Sequence, residues 1–225
     1  MGAGRRRTTI VATARRVSRV AYTRSIPLTQ WLGSRRTAIV TLAEAHAVMG
    51  EVDGPGRPRE IGRPIGHAYV LRVVAEFQAF VRDLHDLAAE RVVNLATSQA
   101  QYRALLIGAA TEGRLIDRGN ADLRSIEQDV QRLGIGGLNG KIGALNSRWA
   151  HPSGRGDRAY YQDLIELRNA LAHGNQVQLD RLRARGIADT VTWARARLPG
   201  LDRTGKALDH IVWNHLVSTF EREPW

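Results

Sequence analysis

An all-α fold is what this 225-residue chain predicts, and three observations carry the prediction. Apolar residues recur at steps of three and four rather than two. No run between turns alternates apolar and polar residues as a half-buried strand would. The longest pattern, residues 67–93, sets Val70, Val73, Phe77, Phe80, Leu84 and Leu87 on one stripe that ends at Arg91. The length suits one packed core. The expectation is a helical bundle with no sheet: a single domain over residues 35–225, preceded by an arm over residues 1–34.

Taken in order, "TAIVTLAEAHAVMG" (37–50) reads as a helix closed by Gly50. Residues 51–66 carry Gly or Pro at seven positions, a density that predicts a long surface loop. After the long helix of 67–93, "SQAQYRALLIGAATEG" (98–113) gives a shorter one. "NADLRSIEQDVQRLGIGG" follows, with Asn120 as the expected N-cap and Gly134 as the stop. "LNGKIGALNSRWA" is helical in part, and "HPSGRGD" (151–157) has turn chemistry. A helix over 157–173 puts Tyr160, Leu164, Leu167 and Leu171 on one face, with Gly174 placed for a left-handed cap. "GIADTVTWARARL" and "KALDHIVWNHLVSTFERE" give two more helices, separated by "PGLDRTG".

The formal charge is +11, distributed unevenly: residues 1–43 hold nine Arg and no acidic residue. Arg5, Arg6, Arg7, Arg15, Arg16 and Arg19 make a basic arm that attracts polyanions such as RNA through counterion release, without sequence preference. The plainer reading is a solvated tail, and an Arg-rich, acid-free start also mimics an organellar transit peptide. No apolar run reaches the ~20 residues a bilayer span needs. With no cysteine in the chain, disulfides and thiolate metal sites are excluded. A soluble, cytoplasmic protein is expected.

Several catalytic signatures fail on inspection. "GIGGLNGKIG" lacks the Gly at 135 and the Ser or Thr at 142 that a phosphate loop requires, and both positions are Ile. The seven His residues show no metal-ligand spacing, and no Gly-x-Ser-x-Gly elbow is present. No metal and no cofactor is expected.

What remains is "LIELRNALAHGN" (164–175), a core-patterned helix whose last turns carry Arg168, Asn169 and His173. Asn169 and His173 are four apart and share a face, and the long Arg168 side chain can bend toward them. Arginine offers a fork of donors that matches phosphate oxygens. These are the parts that metal-free RNA cleavage needs: a base for the ribose 2′-hydroxyl and a cation for charge building on phosphorus. A single His cannot conveniently serve as both base and acid, whereas a two-fold dimer would supply a second. Equally, Arg and His near a helix end complement its dipole, and Gly after His is ordinary capping.

"RNALAHG" resembles the Arg-x4-His signature, often Arg-Asn-x-x-x-His, of the HEPN superfamily of all-α ribonucleases and binding domains found in bacterial toxin and antiphage systems. "RVVAEFQAFVRDLHDLA" is similar to the long early helix of its RiboL-PSP-HEPN branch, and "ALDHIVWNHLVSTFEREPW" to that branch's last helix and Pro-Trp close. The resemblance spans residues 37–225. It implies a dimerising bundle with Arg168 and His173 at the dimer cleft, Asn169 positioning them, and RNA cut to a cyclic phosphate. Two positions depart from the pattern: Gln78 stands where many members have Glu, and Asn175 where an adenylylated Tyr lies in one toxin group. The function so implied is an endoribonuclease toxin or defence effector acting as a homodimer, with an antitoxin or sensor protein as a further partner. One alternative is a non-catalytic module binding RNA, nucleotide or protein. Another is a helical assembly subunit in which Arg168 and His173 only cap a helix.

Overall fold

A computed structural model describes residues 21–52, 59–119, 121–152 and 155–225, and every regular element among them is helical. The bundle begins earlier than the charge pattern suggests. Helix α1 (Ile26–Gln30) starts where the Ser25 hydroxyl accepts from the Leu28 N–H at 3.2 Å, with Pro27 in the first turn, where a missing N–H costs nothing. The chain runs on through a turn of π-helix (Trp31–Arg35) into α2 (Arg36–Val52). Leu28 and Trp31 are fully buried. The Trp31 ring meets Phe77 edge-on at 5.1 Å and tilts against Phe80 at 6.1 Å. The boundary expected at residue 34 is therefore corrected: residues 25–34 are part of the packed domain. Arg5, Arg6, Arg7, Arg15, Arg16 and Arg19 lie outside the described residues.

The loop expected over 51–66 is corrected at both ends, since α2 continues to Val52 and α3 (Arg59–Ala96) begins at Arg59, while residues 53–58 lie outside the described residues. Pro64 falls within the second turn of α3, where its missing N–H leaves only one carbonyl without its helical donor. Gly66 is there for contact. A Cβ at this position would stand 2.4 Å from the backbone oxygen of Asp189. The close approach lets the Asp189 carboxylate gather His67 at 2.7 Å, Arg183 at 2.6 Å and Arg63 at 3.3 Å. Val70, Val73, Phe77, Phe80 and Leu84 are buried as the stripe predicts, after which burial passes to Ala88, Ala89 and Val93.

Around α3 pack α1, α2, α4 (Ala100–Thr111), α8 (Asp157–Ala172), α10 (Val191–Arg195) and α11 (Leu198–Phe220). α5 (Leu115–Arg118), α6 (Leu123–Gln131) and α7 (Leu138–Leu145) cover the rest of the core, and α9 (Gln176–Ala184) lies on α8. The cap of α6 is Asp122, whose carboxylate accepts from the Ser125 N–H at 2.7 Å, rather than the expected Asn120. "PGLDRTG" is no separator. It forms the first turns of α11, with Pro199 at the start, where proline is tolerated. None of the described helices is long and apolar enough to cross a membrane.

One buried polar cluster sets a pH response. The Asp129 carboxylate, 2% exposed, accepts from the N–H groups of Leu115 at 3.0 Å and Ile116 at 2.9 Å and so caps α5. His85 Nε2 donates to the Asp129 carbonyl at 3.0 Å, and its Nδ1 accepts from Arg114 at 3.1 Å. Burial, together with the facing Arg114 charge, holds the imidazole below its ordinary value of 6.5. An unfolded His85 takes up a proton as the pH drops past that value while the folded ring resists. Its contribution is thus complete above the unfolded pKa and lost on the way down to the depressed one. The urea midpoint of the parent chain is expected to fall from about pH 7.5 to 5.5 more steeply than that of His85→Gln. The comparison is differential because burial raises the Asp209 and Asp202 carboxyls, which act in the opposite sense. Equal slopes would show that His85 is not the sensor.

Candidate active site

Helix α8 carries the three residues singled out by the sequence, and its two ends are built differently. The amino-terminal end is locked. The Asp157 carboxylate, 3% exposed, receives Arg203 Nε and Nη2, each at 2.7 Å, and Asn146 Nδ2 at 3.0 Å. Burial works to raise this carboxyl, but the Arg203 and Asn146 hydrogen bonds outweigh it and hold it below the usual range. Gly156 leaves no space: a Cβ would lie 2.4 Å from the Trp149 carbonyl oxygen and 2.7 Å from that of Arg148.

The carboxy-terminal end closes by its own backbone. Gly174, at φ 59°, gives its N–H to Leu171 at 3.3 Å, and the Asn175 N–H returns to Ala170 at 2.9 Å. This six-to-one plus five-to-two pairing needs a left-handed residue after the cap, which is why glycine follows His173. Asn175 then caps the next helix, its side chain accepting from the Gln178 N–H at 3.0 Å. The three-residue connection His173–Asn175 thus folds α9 back along α8, where Arg185 pairs with Asp163 at 2.8 Å and Glu166 at 2.7 Å. The sequence reading missed α9, whose buried face consists of Leu179 and Leu182 alone.

Within this frame Arg168 is half-buried and donates from Nη1 to the Asn169 side-chain oxygen at 3.3 Å. Five half-buried arginines, Arg35, Arg36, Arg82, Arg183 and Arg203, each meet a carboxylate, whereas Arg103 and Arg197 donate to the backbone carbonyls of Thr97 and Trp193 instead. Among the described residues Arg168 meets no carboxylate. His173 is exposed and forms the helix cap, its backbone N–H bonded to Asn169 O at 3.1 Å. The structure therefore brings Arg168 to Asn169 and sets Asn169 one turn beneath His173. It does not join Arg168 to His173: five residues along a helix turn by roughly 140° and rise by about 7.5 Å. Arg168 lies toward the flank that buries Tyr161, Leu164 and Ile165, and His173 lies toward solvent. Among the described residues no group of three His, Asp or Glu is placed to hold a metal ion.

Gln78 is accounted for structurally. Its Nε2 donates to the carbonyls of Ile116 at 2.6 Å and Gly119 at 2.9 Å, tying α3 to α5. A glutamate would present acceptors to acceptors. Gln78→Glu is expected to cost about 1–3 kcal/mol of stability near neutral pH, a loss that shrinks as the new carboxyl protonates. Urea titrations at pH 7 and in mild acid check this, and an undiminished midpoint at pH 7 would leave the carboxylate free for another role. No protein-family model, curated protein or solved structure matches the chain.

Proposed function

We propose that the chain is a metal-independent endoribonuclease of HEPN type that acts as a homodimer. The observation that carries the reading is the half-buried Arg168, without a carboxylate among the described residues and bonded to Asn169, which sits one turn below an exposed His173. A guanidinium kept without a carboxylate is available to an anion from outside the chain, and its planar fork fits a phosphate. One His takes the proton of the ribose 2′-hydroxyl, whose oxygen attacks phosphorus. The departing 5′-oxygen takes a proton from a second acid, leaving a 2′,3′-cyclic phosphate and a 5′-hydroxyl. Arg168 stabilises the added negative charge. The second acid would be His173 of another copy across a two-fold axis, with both helix ends facing one cleft. A toxin or defence role, with an antitoxin or sensor protein in control, follows from the sequence resemblance alone.

The wide angle between Arg168 and His173 on one helix favours a second reading, a module that binds RNA or nucleotide without cutting it. Cleavage of total RNA and tRNA in EDTA separates the two. The first requires cuts that vanish in His173→Ala, whereas the second requires intact RNA with binding weakened in Arg168→Ala.

A further inference from the structure

A second feature of α8 lies about 20 Å from His173, thirteen residues back along the helix. There a cavity of about 250 Å³ opens between α8 and the segment that follows α9, lined by Arg155, Tyr160, Asp163, Arg185, Trp193 and Arg197. Arg197 is held rigidly. Its guanidinium lies over the Trp193 ring at 4.0 Å and the Tyr160 ring at 5.1 Å, and Nη1 donates to the Trp193 carbonyl at 2.9 Å. Arg185 is shared between Asp163 at 2.8 Å and Glu166 at 2.7 Å, so three arginines stand against two carboxylates around the cavity. Among the described residues neither Arg155 nor Arg197 forms an ion pair with a carboxylate, so the surplus positive charge of the pocket lies on their side. Burial disfavours the Arg197 charge most, Tyr160 and the Asp163 carboxylate favour it in part, and Arg155 is near enough to oppose it. Two like charges facing one half-buried cavity cost free energy until an anion enters between them. The volume lies below the roughly 300–1,000 Å³ of pockets that enclose a whole drug-sized molecule. It suits a phosphate group and the atoms bonded to it.

We propose that this pocket binds a phosphate group between Arg155 and Arg197, with Tyr160 and Trp193 holding Arg197 in place. The phosphate is that of a free nucleotide or of an RNA strand. This goes beyond the cleavage reading and holds whether or not His173 cuts RNA. To keep the two apart, binding is measured by calorimetry on the full chain carrying His173→Ala, with inorganic phosphate, adenosine 5′-monophosphate, and one RNA oligonucleotide bearing a 5′-phosphate or a 5′-hydroxyl. Saturable one-to-one binding of the phosphate compounds, weakened about tenfold or more by Arg155→Gln with circular dichroism unchanged, is the expected result. Tighter binding of the mononucleotide would assign a free-nucleotide site, and tighter binding of the 5′-phosphorylated RNA over its 5′-hydroxyl twin would assign an RNA end. No saturable binding at millimolar phosphate, or equal affinity in Arg155→Gln, overturns the proposal.

Discussion

Replacing His173 with alanine is expected to lower RNA cleavage in EDTA by about 10²–10⁴-fold, the usual contribution of a positioned acid or base. Helical circular dichroism should not change. The ring is exposed, and the cap it occupies is made by backbone bonds from His173, Gly174 and Asn175. A purely capping His173 would instead cost ~1 kcal/mol of stability through the helix dipole and leave turnover untouched. Arg168→Ala should lose about 10²–10³-fold, in the range of a removed charge-stabilising donor. Arg168→Lys should recover little of that loss, because a point charge does not reproduce the fork. If both His173→Ala and Arg168→Ala cut RNA at the parental rate, the helix end is not the site. Cleavage abolished by EDTA in the parent would point to metal chemistry.

The second large effect concerns residues that composition assigned to the arm. Trp31→Ala should destabilise the fold by about 3–5 kcal/mol, since it removes a large, fully buried ring from contact with Phe77 and Phe80. Chemical denaturation followed by circular dichroism measures it. A midpoint equal to the parent's would mean that the segment does not belong to the core. Deleting residues 1–20 keeps every described contact and isolates the effect of the six arm arginines on the salt dependence of RNA binding. Deleting residues 1–34 also removes Leu28, Trp31 and the Ser25 cap, so any loss of RNA binding would be confounded by unfolding.

The helices with dense apolar spacing were legible. α8 was placed from Asp157 to the Gly174 stop because Leu164, Leu167 and a left-handed terminus leave few alternatives. What failed was the reading of glycine as a breaker. Gly66 and Gly205 lie inside helices where a neighbour crowds the Cβ position: the Asp189 backbone leaves it no room, and the Phe80 ring would stand a tight 3.3 Å away. That requirement is tertiary and leaves no local trace. Residues 25–34 were misassigned for a related reason, since the buried Pro27, Leu28 and Trp31 decide the packing there while the arginines on either side decide the average. At the site, residue identity and helix position could be read, but the pairing of each Arg with its carboxylate could not. The absence of such a partner for Arg168, and the surplus charge of Arg155 and Arg197, appear only once the chain is folded.

The hydrogen bonds of Trp225 bear on how the molecule can be handled. Its indole donates to the Thr23 carbonyl at 3.0 Å, and its own carbonyl accepts from the Thr23 hydroxyl at 3.2 Å. Nearby, Tyr22 and Ser25 both hydrogen-bond the buried Asp209 carboxylate of α11. Residues some two hundred positions apart in sequence thus share one corner of the bundle. A redesigned chain that joins Trp225 to Ala21 by a short flexible linker and opens in the exposed segment at Ser98 and Gln99 would assemble the same core in a different chain order.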